Sequence, residues 1–195
     1  MVVVSGPSGV GKGTLVAEVM RRDRQTRFSV SATTRAPRPG EIHGVSYYFL
    51  SKEEFLLRRA RREFLEWAEN FGNYYGTLNS EVNRLLEQGC NVILDIDTQG
   101  AERVRRLRPN AVFVFIMPPS VAELRRRITH RGTESGADLQ LRLSRAEAEM
   151  ARAREYDYVI VNDHVKTAAA QLQEIISRRR AALAPAADEA KPKGE

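Results

Sequence analysis

The sequence has very few of the residues that build disulfides and zinc sites. Cys90 is its only cysteine, so no internal disulfide can form, and its three histidines are scattered. No His–Asp or Ser–His constellation is visible either. The longest apolar runs, such as Ala111 to Met117, are far shorter than the ~20 residues that span a bilayer. No basic region precedes an apolar stretch at the N-terminus, and we therefore expect a soluble, cytoplasmic protein without a membrane partner.

Composition and length are those of one globular domain. The chain has 195 residues, of which 42% are hydrophobic and 29% charged. Its formal net charge of +6 and pI near 9.8 favour anionic partners, either nucleic acid or small phosphorylated molecules. Charge alone does not choose between them, because arginine-rich stretches such as Arg58–Arg59, Arg61–Arg62 and Arg178–Arg180 also suit solvated helix faces.

Short apolar runs alternate with helical segments along most of the chain. Strands are predicted at Val2–Ser5, Phe28–Ser31, Ser46–Leu50, Asn91–Asp97, Ala111–Met117 and Tyr156–Val161. Alternation of this kind predicts an α/β protein with a parallel sheet, helices on both faces and ligands at the carboxyl ends of the strands.

Helix boundaries carry clear local signals. A helix should begin at about Lys12, and capping boxes pair Ser51 with Glu54 and Ser120 with Glu123. Gly89 should end the helix that begins near Ser80.

One region interrupts the alternation. Residues from about 33 to 76 contain Pro37, Pro39 and clustered aromatics, which predict an inserted subdomain with strands of its own. The core would then consist of residues 1–32 and 77–183, and the tail 184–195 should be disordered.

A phosphate-binding loop follows the first strand. Residues 6–12 fit the G-x-x-x-x-G-K pattern, and they lie in the required context between a buried strand and a helix. Backbone N–H groups of such a loop converge on phosphate oxygens, while Lys12 reaches the β and γ phosphates. The predicted ATP-binding residues of the loop are Gly6, Pro7, Ser8, Gly9, Val10, Gly11, Lys12, Gly13 and Thr14.

The position after the lysine departs from the usual pattern. Gly13 stands where Ser or Thr normally binds magnesium, and Thr14 follows one place later. This variant resembles adenylate kinases, in which water and substrate phosphates hold most of the metal's coordination shell.

A second phosphate site is indicated by residues 31–41. Arg35 and Arg38 lie there on a proline-rigidified segment and suit bidentate binding of a phosphate.

Six motifs in a fixed order then point to one family. They are Gly6–Thr14, Ser31–Glu41, Phe64–Ala68, Asn73–Thr77, Ile93–Asp97 and Arg131–Glu134. With these motifs the chain resembles guanylate kinases over roughly residues 2–183. The resemblance implies a P-loop NTPase-type fold with an inserted GMP-binding subdomain and a short lid at about 127–142. It also implies ATP-dependent phosphorylation of GMP, and of dGMP, to GDP by direct in-line transfer.

The resemblance also assigns roles to individual residues. Residues that bind GMP would be Ser31, Arg35, Arg38, Tyr47, Glu66, Tyr75, Thr77 and Asp95. Carboxylates at Glu66 and Asp95 can accept hydrogen bonds from guanine N1–H and N2–H, while Thr77 can donate to O6. The tyrosines could instead be packing residues, and Ser31 could make only a local turn contact.

Metal and lid roles follow in the same way. Asp97 is expected in the shell of Mg²⁺, with helix capping as the alternative. Arg127, Arg131 and Arg142 resemble the arginines that converge on the transferred phosphoryl group when a lid closes, although solvated arginines remain an alternative. Asn162 is expected to contact adenine.

Three other functions are compatible with parts of the pattern. A noncatalytic scaffold module with this fold would bind phosphopeptides, but it would not need Lys12 or lid arginines. An enzyme with another acceptor is a nearer alternative. Nucleic-acid binding would explain the pI but no motif, and the oligomeric state is not indicated.

Overall fold

The computed structural model describes residues 1–70, 72–129 and 136–183. Its strands are β1 Val2–Ser5, β2 Thr26–Phe28, β3 Ala32–Thr33, β4 Tyr48–Phe49, β5 Phe64–Asn70, β6 Asn73–Leu78, β7 Asn91–Asp95, β8 Val112–Met117 and β9 Tyr158–Val161. Its helices are α1 Lys12–Arg22, α2 Lys52–Ala60, α3 Asn79–Glu87, α4 Thr98–Leu107, α5 Val121–Thr129, α6 Gly136–Ala151 and α7 Val165–Leu183, with a short 3₁₀ turn at Arg152–Glu155. The predicted disordered tail, 184–195, lies outside the described residues.

The larger sheet has five parallel strands in the order β2-β7-β1-β8-β9. Successive residues of β1 face opposite sides: Val2 and Val4 pack in the hydrophobic core with α1, α5, α6 and α7, and Val3 packs in the core with α3 and α4. Covering both faces is possible because the neighbouring strands β1 and β8, at positions three and four of the sheet order, are buried along almost their whole length. The predicted α/β fold with helices on both faces is confirmed.

A smaller mixed sheet, in the order β4-β3-β6-β5, is formed by chain between β2 and α3. Strand β3 pairs with β4 in parallel and with β6 antiparallel, and β5 and β6 form an antiparallel pair. Its core is aromatic: the rings of Phe55 and Phe64 stack at 4.3 Å, and Phe55 also stacks on Tyr74 at 5.3 Å. This sheet therefore has its own core beside the main one.

The predicted strand at Phe28–Ser31 is wrong in its boundaries. Strand β2 ends at Phe28, and the chain then leaves the larger sheet to join the smaller one at Ala32. Ser29 N still donates to Ile93 O at 3.0 Å, which is the last backbone hydrogen bond to β7. Residues 29–31 thus connect the two sheets, which local sequence signals do not reveal.

Predicted helix ends agree with the structure. Ser51 and Ser120 accept hydrogen bonds from Glu54 N and Glu123 N, and Gly89, with φ of 72°, follows α3. Among the described residues, no helix is long and apolar enough to cross a lipid bilayer.

Candidate functional site

The phosphate loop connects the end of β1 to the first turn of α1. Gly11 has φ of 92°, and a Cβ built on it would lie 2.8 Å from Asn162 Nδ2, so both backbone conformation and space require glycine there. Lys12 Nζ donates to Gly6 O at 2.7 Å and lies 3.4 Å from Pro7 O. The loop therefore holds its lysine inside the curve where phosphate oxygens would lie.

Asp95 lies beside this lysine because of strand register. Strand β7 pairs with β1 so that Asp95 is opposite Val4, one residue from the end of β1. Its Oδ1 is 3.9 Å from Lys12 Nζ. Burial raises the pKa of Asp95, and the positive charge of Lys12 opposes that rise. A carboxylate predicted for the acceptor base thus adjoins the lysine predicted for the donor phosphates.

Asn162 and Arg127 brace the phosphate loop from the other side. Asn162, buried at the end of β9, donates from Nδ2 to Val10 O at 2.8 Å. Arg127 Nη1 donates to Asn162 O at 3.1 Å and to Val10 O at 3.3 Å, while its Nε pairs with Glu123 at 2.8 Å. Both side chains therefore support the loop in this structure, and the predicted roles of Asn162 at adenine and of Arg127 at the transferred phosphoryl group stay predictions.

A cavity of about 700 Å³ opens next to this brace. Its lining includes Gly11, Thr14, Arg127 and residues 162–167. The volume is within the range of small-molecule sites, and the cavity adjoins the loop that would hold a nucleotide's phosphates. Sequence reasoning found only Asn162 in this segment.

Arg35 is held by an acidic partner that sequence reasoning missed. Its Nη2 lies 2.8 Å and 3.0 Å from the two carboxylate oxygens of Glu41, and Glu41 Oε2 also accepts from Arg38 N at 2.7 Å. The carboxylate is a planar anion, and its two oxygens accept hydrogen bonds from the guanidinium much as phosphate oxygens would. The only signal in the sequence was the spacing of Glu41 from the two arginines.

Tyr47 and Tyr75 lie with Arg35 in one cluster. Their rings are 6.2 Å apart, and the Arg35 guanidinium lies 5.5 Å from the Tyr47 ring. Burial raises the pKa of the Tyr47 hydroxyl, and the negative charge of Asp95 adds to the rise. The predicted phosphate-binding tyrosines therefore lie towards Asp95, at the carboxyl end of β7, and Arg38 is exposed.

Glu66 and Thr77 form a buried pair on β5 and β6. Thr77 Oγ1 donates to Glu66 Oε1 at 2.6 Å. The other oxygen, Oε2, lies against α4, where a Cβ on Gly100 would approach it to 2.7 Å. Burial raises the pKa of Glu66 to about 7, with a further contribution from Asp97. Gly100 is thus a site residue that the sequence did not mark, because its role depends on a strand from the other sheet.

Asp97 caps helix α4. Its Oδ1 accepts from Gly100 N at 2.7 Å, and its Oδ2 accepts from Asn70 Nδ2 at 3.0 Å. The capping alternative therefore describes this structure, and Asn70, which sequence reasoning missed, links the smaller sheet to α4. No cluster of three or more His, Cys, Asp or Glu side chains that could hold a metal occurs in the described part of the chain.

The remaining predicted residues fall in different places. Ser31 is buried just before β3, Gly13 and Thr14 are exposed in the first turn of α1, and Arg142 lies on α6. Arg131, the central lid arginine of the prediction, lies outside the described residues. The structure thus brings Lys12, Arg35 and the two tyrosines together near Asp95, at the carboxyl end of β7. It gives no position for Arg131.

Comparisons with known proteins agree on one family. The family model described as guanylate kinase matches residues 1–179. A guanylate kinase of Symbiobacterium thermophilum is 52% identical over 93% of this chain and 86% of its own length. One of Desulfitobacterium hafniense is 49% identical over 90% of this chain and 88% of its own. The crystal structure of guanylate kinase from Anaplasma phagocytophilum superposes with a TM-score of 0.74 at 36% identity, covering 91% of this chain and 84% of that one.

Proposed function

Because this chain belongs to the guanylate kinase family, which phosphorylates GMP to GDP using ATP, we propose how its own residues carry out that transfer. The observation that carries the proposal is the meeting of two sites. Lys12 of the phosphate loop lies 3.9 Å from Asp95, whose charge in turn reaches Tyr47 in the second cluster. A donor held by the loop and an acceptor held by the smaller sheet would therefore face each other across β7.

ATP would bind along the phosphate loop. Residues 6–14 would hold its phosphates through backbone N–H groups, and Lys12 would exchange Gly6 O for phosphate oxygens. The adenosine part would lie in the neighbouring cavity, where Asn162 forms part of the wall. Since Asn162 and Arg127 both bond to Val10 O, they would hold the loop in its binding shape before ATP arrives.

The phosphate of GMP would bind to the arginine–tyrosine cluster. Arg35, Arg38, Tyr47 and Tyr75 offer two guanidinium groups and two hydroxyls to a dianion. A phosphate would displace the Glu41 carboxylate from Arg35 or share the guanidinium with it. The acceptor is already ionised at neutral pH, so the transfer needs no general base.

Guanine would be recognised by Glu66, Asp95 and Thr77, with Ser31 nearby. The carboxylates accept from N1–H and the exocyclic amine, and the Thr77 hydroxyl can turn from Glu66 to O6. Adenine has no donor at N1, so it would leave a buried carboxylate unpaired at a cost of roughly 1–3 kcal/mol or more. This difference predicts a strong preference for GMP, and for dGMP, over AMP.

The residues present fit a magnesium ion that is held mainly by water and nucleotide phosphates. Gly13 provides no hydroxyl, and both oxygens of Asp97 already accept hydrogen bonds, so the residues that the structure describes offer no dedicated cage. We propose Asp97 as the residue that contacts the ion's hydration shell. When bound, the metal would neutralise charge on the β and γ phosphates.

Closure around both nucleotides is the remaining part of the proposal. Residues of about 33–76 would form a GMP-binding flap, the core would be residues 1–32 and 77–183, and a lid of about 127–142 would carry Arg127, Arg131 and Arg142 towards the transferred group. The positive charge of +6 suits such phosphorylated ligands, so we propose nucleotides and not nucleic acid or a membrane as the partners, and the cytoplasm as the compartment.

A panel of acceptors tests this function. ADP formation from ATP and Mg²⁺ would be measured with GMP, dGMP, AMP, CMP and UMP as separate acceptors. We expect GMP to be preferred strongly, and Glu66→Gln to reduce that preference because one amide N–H would face a guanine donor. Glu69→Gln, an exposed carboxylate on the same strand, is the matched control and should leave the preference unchanged. Equal turnover of GMP and AMP by the unmodified enzyme contradicts the proposed base recognition.

A further inference from the structure

A second cavity, of about 480 Å³, lies away from both nucleotide sites. One wall comes from the end of α2 and from β5, with Arg59, Arg62 and Trp67, and the other comes from the end of α4, with Leu107 and Arg108. The cavity therefore lies between the smaller sheet and the core. Its volume is sufficient for a nucleotide-sized ligand.

The guanidinium groups of this cavity are not neutralised by acids. Within the described part of the chain, Arg59, Arg62 and Arg108 have no carboxylate oxygen within 4.0 Å. On the same helix end, Arg58 pairs with Glu54 and Glu63, and Arg61 lies 4.0 Å from Glu63. Arg58 and Arg61 thus have carboxylate partners, whereas the arginines that line the cavity have no carboxylate partner among the described residues. Positive charges around one cavity repel one another, and a bound anion would offset this repulsion.

Arg62 occupies a backbone position that normally belongs to glycine. Helix α2 ends in a Schellman motif, in which Arg62 N donates to Arg59 O and Glu63 N donates to Arg58 O. Helix α3 ends in the same motif with Gly89 in the left-handed position, at φ of 72°. At α2 that position, with φ of 57°, holds Arg62, the one non-glycine residue with positive φ in the described part of the chain. The chain therefore keeps a guanidinium at the rim of the cavity where glycine would be less strained.

The cavity also has an aromatic platform. Trp67 lies with its ring 4.7 Å from the Arg59 guanidinium and 5.2 Å from that of Arg103. Arg103 Nη1 is buried and has no hydrogen-bond partner in the described part of the chain. Leu107, which is 61% exposed, and Phe64 add apolar surface. A flat ring can pack on such a surface while a charged group reaches the arginines.

We propose that this cavity binds a nucleoside polyphosphate at a site separate from the two substrate sites. The phosphates would bind to Arg59, Arg62 and Arg108, whose forked donors match phosphate oxygens, and the base would pack against Trp67 and Leu107. Because one wall belongs to the smaller sheet and its helix α2 and the other to α4, a bound ligand would hold the smaller sheet against α4. The site would thereby connect the nucleotide pool to the movement of the GMP-binding flap.

Trp67 makes the test direct, because it is the chain's only tryptophan. The intact enzyme would be titrated with UTP at constant ionic strength while tryptophan emission is recorded. The decisive variant is Arg62→Gly/Arg108→Ala, since glycine relieves the left-handed strain and should raise the melting temperature while removing a phosphate contact. The matched control is Arg58→Ala/Arg61→Ala, which removes the same amount of charge from residues that face Glu54 and Glu63.

We expect a saturable change in Trp67 emission whose dissociation constant rises about tenfold or more in Arg62→Gly/Arg108→Ala and about twofold or less in the control. Kinase activity measured without UTP should persist in both variants, so failure of this proposal is distinguishable from failure of the proposed reaction. Inorganic triphosphate should bind more weakly than UTP, because it cannot pack on Trp67. The proposal is overturned by an unchanged emission, by equal binding to both variants, or by tighter binding of a single-stranded RNA oligonucleotide than of UTP.

Discussion

At the scale of single residues, Glu66 shows how surroundings determine chemistry. Its carboxyl is buried between the smaller sheet and helix α4, so its pKa rises to about 7 even though Thr77 donates a hydrogen bond to it. The protonated form is therefore well populated near neutral pH before a ligand binds. Guanine donors would favour the ionised form, so we expect GMP binding and loss of this proton to be linked.

Glu66 should make the stability of the free protein depend on pH. A carboxyl whose pKa is raised in the folded state stabilises the fold fully below its unfolded pKa, and this contribution is lost as pH rises through the folded pKa. Because the pKa of Glu66 rises from its ordinary value of 4.5 to about 7, this contribution to the free energy of unfolding is roughly 3 kcal/mol. Urea unfolding at about pH 5 and pH 8 measures this effect. The free energy of unfolding of the unmodified protein should fall between the two pH values, and in Glu66→Gln this fall should be smaller by the Glu66 contribution. An identical pH dependence in both proteins contradicts the raised pKa of Glu66.

Lys12 is not a freely exposed loop lysine, because its side chain also makes contacts within the folded loop. Its side chain is 16% exposed and bonds to Gly6 O, and it offsets the burial of Asp95. Substitution by alanine therefore removes interactions of the folded loop as well as a charge for the phosphates. Melting temperature and kinetics must be measured together.

Lys12→Ala should lower kcat/KM by well over about tenfold, because the ammonium stabilises charge that develops in the transition state. The melting temperature should fall only slightly, since a partly exposed lysine with carbonyl partners contributes about 1 kcal/mol. Lys52→Ala, on the surface of α2, is the control and should retain activity. A folded Lys12→Ala protein that loses less than about tenfold, or ~1.4 kcal/mol, would show that the loop does not act as proposed.

At the scale of elements, the first turn of α4 connects the two sheets. Asp97 caps this helix and accepts from Asn70 of β5, and Gly100 leaves room for Glu66. The amino-terminal end of one helix thereby positions both the carboxylate proposed to bind the base and the carboxylate proposed for magnesium.

Asp97→Asn separates these roles. The asparagine oxygen can still cap α4, whereas its amide would face Asn70 and would carry no charge towards magnesium. We expect the Mg²⁺ concentration for half-maximal activity to rise about tenfold or more. Asn70→Ala is the matched control, because it removes the same hydrogen bond and keeps the Asp97 charge. If Asn70→Ala shifts the Mg²⁺ requirement as much as Asp97→Asn does, the metal role of Asp97 is wrong.

At the scale of the whole molecule, the proposed donor site lies on the larger sheet, and most of the proposed acceptor site lies on the smaller sheet, which approaches it near Asp95 at the end of β7. Residues 29–31 provide one connection between these sheets, and the Asn70–Asp97 bond provides another. A transfer between two bound nucleotides requires water to be excluded, since an ATP site competent without GMP would transfer phosphate to water. We therefore expect closure to require both nucleotides.

Arg131→Ala should lower kcat far more than it weakens GMP binding, because its charge would act only in the closed complex. Arg38 is an exposed residue of the arginine–tyrosine cluster proposed for the GMP phosphate, so Arg38→Ala should mainly raise the dissociation constant for GMP. X-ray scattering should show compaction with both nucleotides bound and not with either alone. Absence of compaction, or an Arg131→Ala protein with unchanged kcat and weaker GMP binding, contradicts the proposed closure of the flap and the lid.

Several parts of the molecule could be predicted from short stretches of sequence. The phosphate loop, the apolar strands beside it and the caps at Ser51 and Ser120 depend on neighbouring residues, so local pattern was sufficient. The hairpin of β5 and β6 was not assigned as strands, because its alternation is interrupted by a bulge between Phe64 and Glu66.

The sequence by itself determined the type of fold, the phosphate loop and the family, because each depends on residue types at fixed short spacings. Only the tertiary structure decided which partner each charged side chain meets. Asn162 reaches Val10 across 152 residues, and Glu66 is buried against Gly100 of another element. These outcomes follow from how remote segments pack, since their burial and the distances between them set both hydrogen bonding and pKa.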